Sequence, residues 1–171
     1  MGWEDALTYN SDKIAATKAN LTEVSTLINN RVKFINRTRG RLTLEEQELL
    51  LIKDKVDNRL ADVQSILDVA TVKTAIAGET YEMDQTDVAD GDEAEASIIA
   101  AIAAIIDELE LNDVSYEIEK VSYTPAIAGT EGDADGTDGS FEFKVKLTKR
   151  IKEDETDTLT MTIKATPYSA G

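Results

Sequence analysis

The segment SFEFKVKLTK, residues 140–149, alternates between apolar and polar side chains without a break. The apolar members, which share one face, are Phe141, Phe143, Val145 and Leu147. Because neighbouring side chains of a strand point to opposite faces of the sheet, this period of two predicts a strand with one covered and one open face. The segment TLTMTIKATPY, residues 158–168, alternates in the same way and predicts a partner strand.

Further strand signals flank this pair. VSYEIEKVSYTPAI, residues 114–127, alternates until its period slips near Lys120, which suggests a bulge or bend. KRIKEDETD, residues 149–157, is interpreted as the charged turn of a hairpin between the last two strands. Upstream, ETYEMDQTDV, residues 79–88, places Tyr81 and Met83 in alternation and predicts a first strand.

A helix rich in alanine and isoleucine is predicted between the first two strands, from Ala94 to Leu111. The residues that we expect on its main apolar side are Ile98, Ile102, Ile105 and Leu109. Such an apolar helix is expected to lie buried across the sheet. The order is then β-α-β-β-β, with one helix packed on an antiparallel sheet, which places the chain in the α+β class.

Two long amphipathic helices are predicted before residue 70, joined as a helical hairpin. The first apolar stripe consists of Ile14, Leu21, Val24, Ile28 and Ile35, widened by Leu27, Val32 and Phe34. The second consists of Leu49, Ile52, Val56, Leu60, Val63 and Leu67, behind a capping box from Thr43 to Glu46. We therefore expect domains at residues 1–69 and 70–171. Two helices cover little of each other's apolar surface, so an oligomer formed through residues 11–69 is one expectation.

Composition excludes several classes of function. The net charge is −16, which repels nucleic acids and anionic membrane surfaces. There is no cysteine and no histidine, so the usual zinc and haem ligands and the usual catalytic triads are absent. No run of about 20 apolar residues exists, so we expect no membrane insertion.

An acidic, glycine-rich segment precedes the strand at residue 140. Asp133, Asp135, Asp138 and Glu142 supply the oxygen ligands that calcium prefers, and the glycines between them let a backbone wrap an ion. The spacing does not match an EF-hand loop. Glycine and aspartate also populate turns without any ion. A calcium site and a plain connecting loop both stay open.

A second acidic cluster lies at Asp84, Asp87, Asp90, Asp92 and Glu93, where a metal site competes with a solvated loop before a helix. With 34 acidic residues, carboxylate pairs arise by chance, and no single acid is marked as buried. We therefore expect no enzyme and no cofactor.

Two segments of the sequence resemble a repeat module of large bacterial cell-surface proteins: TPAIAGTEGDADGTDGSFEFKVKLTK and the later TLTMTIKATPY. Those proteins are mostly from Gram-positive bacteria and often carry S-layer-homology or immunoglobulin-like domains. The likeness covers about residues 70–168. It implies an exported building block of the cell envelope and implies no catalytic residues.

These observations predict a non-enzymatic structural or display module of a cell-surface or secreted multidomain protein, with adhesion as one such role. MGWEDALTYN lacks the features of a signal peptide, so we expect a fragment of an exported protein. One alternative is a module that binds glycan or another wall component through Thr148, Thr158, Thr160, Thr162 and Lys164. Another is an assembly protein that oligomerises with its own copies or another protein through the helical hairpin.

Overall fold

The computed structural model describes residues 11–38, 43–111 and 113–169. It contains the helices α1 (Ser11–Thr38), α2 (Leu44–Gly78) and α3 (Gly91–Glu108), and a short 3₁₀ turn at Gln85–Asp87. The strands are β1 (Tyr81–Asp84), β2 (Ser115–Thr124), β3 (Gly139–Lys149), β4 (Lys152–Glu155) and β5 (Leu159–Lys164). Two long helices followed by one helix and a sheet confirm the predicted α+β class.

The described residues form two compact units. The first contains residues 11–38, 43–67 and 150–152, and the second contains residues 68–111, 113–149 and 153–169. The domains expected at residues 1–69 and 70–171 stay a prediction. Helix α2 itself continues past residue 70 and ends at Gly78.

The first unit is a helical hairpin, as the two apolar stripes predict. Ile14 of α1 packs against Val63 and Ile66 of α2, and the Ser25 hydroxyl donates a hydrogen bond to Asp57 at 2.5 Å. Contacts early in α1 thus meet residues late in α2, which makes the helices antiparallel. The predicted stripes are only partly buried: Ile14, Ile28, Ile35 and Val63 are buried, whereas Val24, Leu27, Phe34 and Ile52 are exposed.

The predicted capping box begins α2. The Thr43 amide donates to a Glu46 carboxylate oxygen at 2.8 Å, and the Glu46 amide donates to the Thr43 hydroxyl at 3.4 Å. The two bonds satisfy amides at the helix start that have no partner within the helix.

The sheet of the second unit is mixed rather than wholly antiparallel. Its order is β1-β5-β3-β2, and β4 also pairs with β3. β3 runs antiparallel to β2 and β5, as predicted, but β1 runs parallel to β5. The alternation of side chains reports which face a residue occupies and carries no information on the direction of the neighbouring strand. The expected turn at residues 149–157 also contains a strand of its own, β4.

The predicted irregularity in β2 is a break in register between Lys120 and Ser122. On one side of it Ile118 stands opposite Val145, and on the other Tyr123 stands opposite Phe141. The extra residue, Val121, restores the inward direction of Tyr123.

The core of the second unit lies between the inner face of the sheet and two helices. The strand residues Phe141, Phe143, Val145 and Leu147 are fully buried. They share one apolar cluster with Ile98, Ile102 and Ile106 of α3. Val69, Val72 and Ile76, from the last turns of α2, complete this cluster. The prediction that α3 covers the sheet is therefore confirmed.

Candidate functional site

The acidic segment before β3 is a closed turn. The backbones of Ile127 and Thr137 exchange two hydrogen bonds of 2.8 Å, and Thr130 and Asp133 exchange two of 2.7 and 3.0 Å. Gly136 has φ of +72°, and a Cβ there would overlap the Ile127 carbonyl oxygen. Only glycine fits this backbone without strain. Gly136 therefore has a role in closing the turn.

The four carboxylates proposed for calcium are not gathered at one point. Asp138 accepts from the Ala165 amide at 2.8 Å and from the Lys164 ammonium at 3.2 Å. The Ala165 amide and the Lys164 side chain hold the pKa of Asp138 below its usual value. Glu142 accepts instead from the Ser122 hydroxyl at 2.8 Å.

Asp133 and Asp135 are exposed. Across the described parts of the chain, no three acidic side chains are placed so that they could hold a metal ion. The calcium site stays a prediction that titration would test.

The second acidic cluster is divided among three elements: Asp84 ends β1, Asp87 ends the 3₁₀ turn, and Asp90, Asp92 and Glu93 lie at the start of α3. One Asp90 carboxylate oxygen accepts from the amides of Asp92 at 2.9 Å and Glu93 at 3.0 Å, so Asp90 is the N-cap of α3. Glu93 reaches back to the Ala89 amide at 2.6 Å. This arrangement agrees with the helix-start interpretation of the segment.

The sequence did not predict an ion triad in which Asp68 is buried, Lys149 is largely buried and Asp113 is exposed. The Lys149 ammonium lies 2.5 Å from Asp68 and 2.6 Å from Asp113, and the lysine side chain is only 10% exposed. Burial lowers the pKa of Lys149, but hydrogen bonds to Asp113 and Asp68 outweigh it and leave the pKa raised. The lysine is therefore held as a charged partner and is a poor base at neutral pH.

The hydroxyl residues proposed for glycan binding fall into separate places. Thr160 and Thr162 lie on the polar face of β5, opposite Glu142 and Ser140 of β3. Lys164 lies on the same face, but its ammonium already contacts Asp138 at 3.2 Å and Glu82 at 3.7 Å. Thr148 stands opposite Ser115 on β2, and Thr158 precedes β5. Glycan binding stays a prediction.

One face of α1 exposes apolar and cationic side chains together. Leu27 is 61% exposed and Phe34 is 57% exposed, although their spacing predicts burial. The Arg31 guanidinium lies 5.8 Å from the centroid of the Phe34 ring. Among the described residues, no carboxylate pairs with Arg31 or Arg37. We call Leu27, Arg31, Phe34 and Arg37 the arginine face of α1.

No helix within the described ranges is long and apolar enough to cross a membrane. Comparisons of the chain with family models, with curated proteins and with solved structures give no match. The likeness to cell-surface repeat modules therefore stays a prediction.

Proposed function

We propose that this chain is a non-enzymatic structural module of a bacterial cell-surface or secreted multidomain protein. The observation that carries the proposal is that the buried polar side chains form hydrogen bonds within the fold. Within the described residues, every buried polar side-chain atom has a hydrogen-bond partner. The titratable groups whose pKa is displaced are engaged in bonds that hold the fold.

The displaced pKa values point away from acid–base catalysis. The pKa values of Asp57, Asp113 and Asp138 are lowered by hydrogen bonds, chiefly to Lys53, to Lys149 and to the Ala165 amide respectively. Each shift makes the carboxylate a weaker base. A general acid or base works best with a pKa near the working pH, and these shifts move in the opposite direction.

Among the described residues, Tyr81 is the one buried tyrosine whose pKa is strongly displaced. Burial, aided by the charge of Glu79, raises its pKa to about 12. Its hydroxyl donates to the Ile76 carbonyl oxygen at 2.9 Å, and its ring packs edge-on against Phe143 at 5.4 Å. The Tyr81 side chain thus connects the end of α2 to the sheet and stabilises the fold.

Fractionation of the source cells tests this role. We expect antibodies against the chain to detect the parent protein in the envelope or the medium. We also expect mild proteolysis of intact cells to release a fragment containing the second unit. A parent protein found only in the cytoplasm would contradict the proposal.

A second candidate function is assembly through the helical hairpin. Among the described residues of the two helices, six large apolar side chains are more than two-fifths exposed: Val24, Leu27, Phe34, Leu44, Leu51 and Ile52. Full burial of an exposed side chain of this kind contributes roughly 1.5–3 kcal/mol, and a half-exposed one contributes a correspondingly smaller amount. Replacing Leu51 and Ile52 with serine should then reduce self-association in sedimentation, and this association should persist at high salt. If the unchanged protein and the serine variant had equal weight-average masses at all concentrations, this candidate function would be ruled out.

A further inference from the structure

The charges of this chain are distributed unevenly. Residues 24–44 contain five arginine or lysine residues and no acidic residue, in a chain whose net charge is −16. Three of these cations, Arg31, Lys33 and Arg37, lie exposed on the last turns of α1. At physiological ionic strength charges farther away than about 8 Å are largely screened, so the local cations set the potential of this face.

The arginine face combines these charges with apolar area. Along the helix, Leu27 precedes Arg31 and Phe34 lies between Arg31 and Arg37. Leu27 and Phe34 are each more than half exposed. A partner that covers this face must supply anionic groups and apolar side chains together. A long nucleic acid would satisfy the arginines, but it would also meet the 34 acidic residues of the chain.

The turn before β3 is complementary to the arginine face, because it exposes carboxylates together with apolar side chains. Its carboxylates Glu131, Asp133 and Asp135 are exposed, and among the described residues no lysine or arginine pairs with them. Two large apolar side chains accompany them, with Ile127 being 64% and Tyr168 being 44% exposed. Both belong to the same loop cluster, since Ile127 pairs with Thr137 and the Tyr168 amide donates to the Ala134 carbonyl oxygen at 2.8 Å. We call these five residues the acidic loop surface.

We propose that the arginine face of α1 binds the acidic loop surface of a second copy of this chain. Each surface offers two exposed apolar side chains and charges opposite to those of the other. The contact is heterologous, because two different surfaces meet, so each copy can bind one neighbour through each surface. It goes beyond the structural role proposed above. It also differs from association through Leu51 and Ile52, because salt weakens it.

Sedimentation equilibrium of the full chain at rising concentration tests the contact. In about 0.1 M NaCl, where the Debye length is about 10 Å, we expect the weight-average mass to rise above the monomer mass of 18.7 kDa. In about 1 M NaCl, where this length is about 3 Å, we expect the mass to return to that of the monomer. A monomer under both conditions, or association that salt leaves unchanged or strengthens, overturns the proposal.

A charge swap makes the test specific. The variant Arg31→Glu/Arg37→Glu and the variant Asp133→Arg/Asp135→Arg should each be monomeric in about 0.1 M NaCl, where the Debye length is about 10 Å. An equimolar mixture of the two should associate again, because the unchanged arginine face of one variant meets the unchanged loop of the other, and the reversed face meets the reversed loop. The matched control Lys13→Glu/Lys18→Glu changes the net charge of α1 equally and should associate like the unchanged protein.

Circular dichroism of each variant must first show unchanged helix content. A mixture that stays monomeric while both variants are folded overturns the proposal. A control that also loses association does the same, because net charge rather than the named surfaces would then be responsible. Both results leave the structural role open, since cell fractionation tests that role separately.

Discussion

Within the described ranges, two residues other than glycine have a left-handed backbone, and each follows the end of a regular element. Glu110 has φ of +56° and follows α3, and Arg150 has φ of +51° and follows β3. After α3 the Glu110 amide donates to Asp107, and the Leu111 amide donates to Ile106 at 3.2 Å. This pattern is a Schellman motif, in which glycine is the preferred residue at the left-handed position.

Replacing Glu110 with glycine should therefore stabilise the protein. A side chain other than glycine costs about 1–2 kcal/mol in this conformation, and the greater freedom of glycine in the unfolded chain offsets part of the gain. We expect the free energy of unfolding in urea to rise by about 0.5–1 kcal/mol. Glu110→Ala removes the same charge and keeps the strain, so an equal gain from alanine would contradict this explanation.

Tyr81 makes the stability depend on alkaline pH. Its pKa is raised to about 12 in the folded state by burial, against about 10 in an unfolded chain. The neutral phenol therefore favours folding below about pH 10, and this contribution is lost as the pH rises through the folded pKa. We expect the free energy of unfolding to fall by up to about 3 kcal/mol between these two pH values. In a pH titration, one tyrosinate absorbance should appear at a higher pH than the others, and Tyr81→Phe should remove it. A wild-type slope equal to that of Tyr81→Phe would contradict the assignment.

At the scale of single elements, local signals and packing contribute differently. Helix α2 begins at a capping box that four residues encode, and α3 begins at Asp90, whose carboxylate binds two amides. The exposed positions Leu27 and Phe34 lie on a helix whose other side is already covered by its partner. A helical period locates an apolar stripe, but the width of the stripe that becomes buried depends on the number of neighbouring helices.

We expect the Asp90 cap of α3 to contribute as much to the free energy of unfolding as a typical N-cap. Asp90→Ala leaves two amides without their side-chain acceptor and should lower the free energy of unfolding by about 1 kcal/mol in urea. The control Asp92→Asn removes a charge from the same first turn without removing a cap, and its cost should be smaller, about 0.3–1 kcal/mol. Losses of the same size in both variants would show that only the helix dipole matters.

At the scale of the whole molecule, the charge is concentrated in the second unit. Its residues, 68–149 and 153–171, contain 24 acidic and 6 basic side chains, a net charge of −18. Surface ion pairs contribute little, with a median of about 0–1 kcal/mol each, whereas like charges at this density repel one another. Screening should therefore stabilise the folded state more than it weakens the ion pairs.

We accordingly expect the melting midpoint, measured on dilute protein, to rise by several degrees between about 0.05 M and about 0.5 M NaCl. A gain of about 1 kcal/mol corresponds to about 4–8 °C for a domain of about 60–100 residues and to about 2–4 °C for one of about 150–250 residues. Potassium fluoride serves as a control for specific effects of chloride. A midpoint that falls with salt would show instead that ion pairs such as the Lys149 triad dominate the stability.

The sequence by itself determined the features that depend on neighbouring residues. The strand β3 with its buried Phe141 and Phe143, the break in register of β2, the capping box at Thr43 and the α+β class all follow from local periodicity and hydrogen bonding. Only the tertiary structure decided the parallel pairing of β1 with β5, the triad of Lys149, and the separation of the four carboxylates proposed for calcium. The strand pairing and the triad join residues distant in the chain, and Asp138 and Glu142 are held by the distant residues Ala165 and Ser122. The energies of these contacts depend on a geometry that no local pattern encodes.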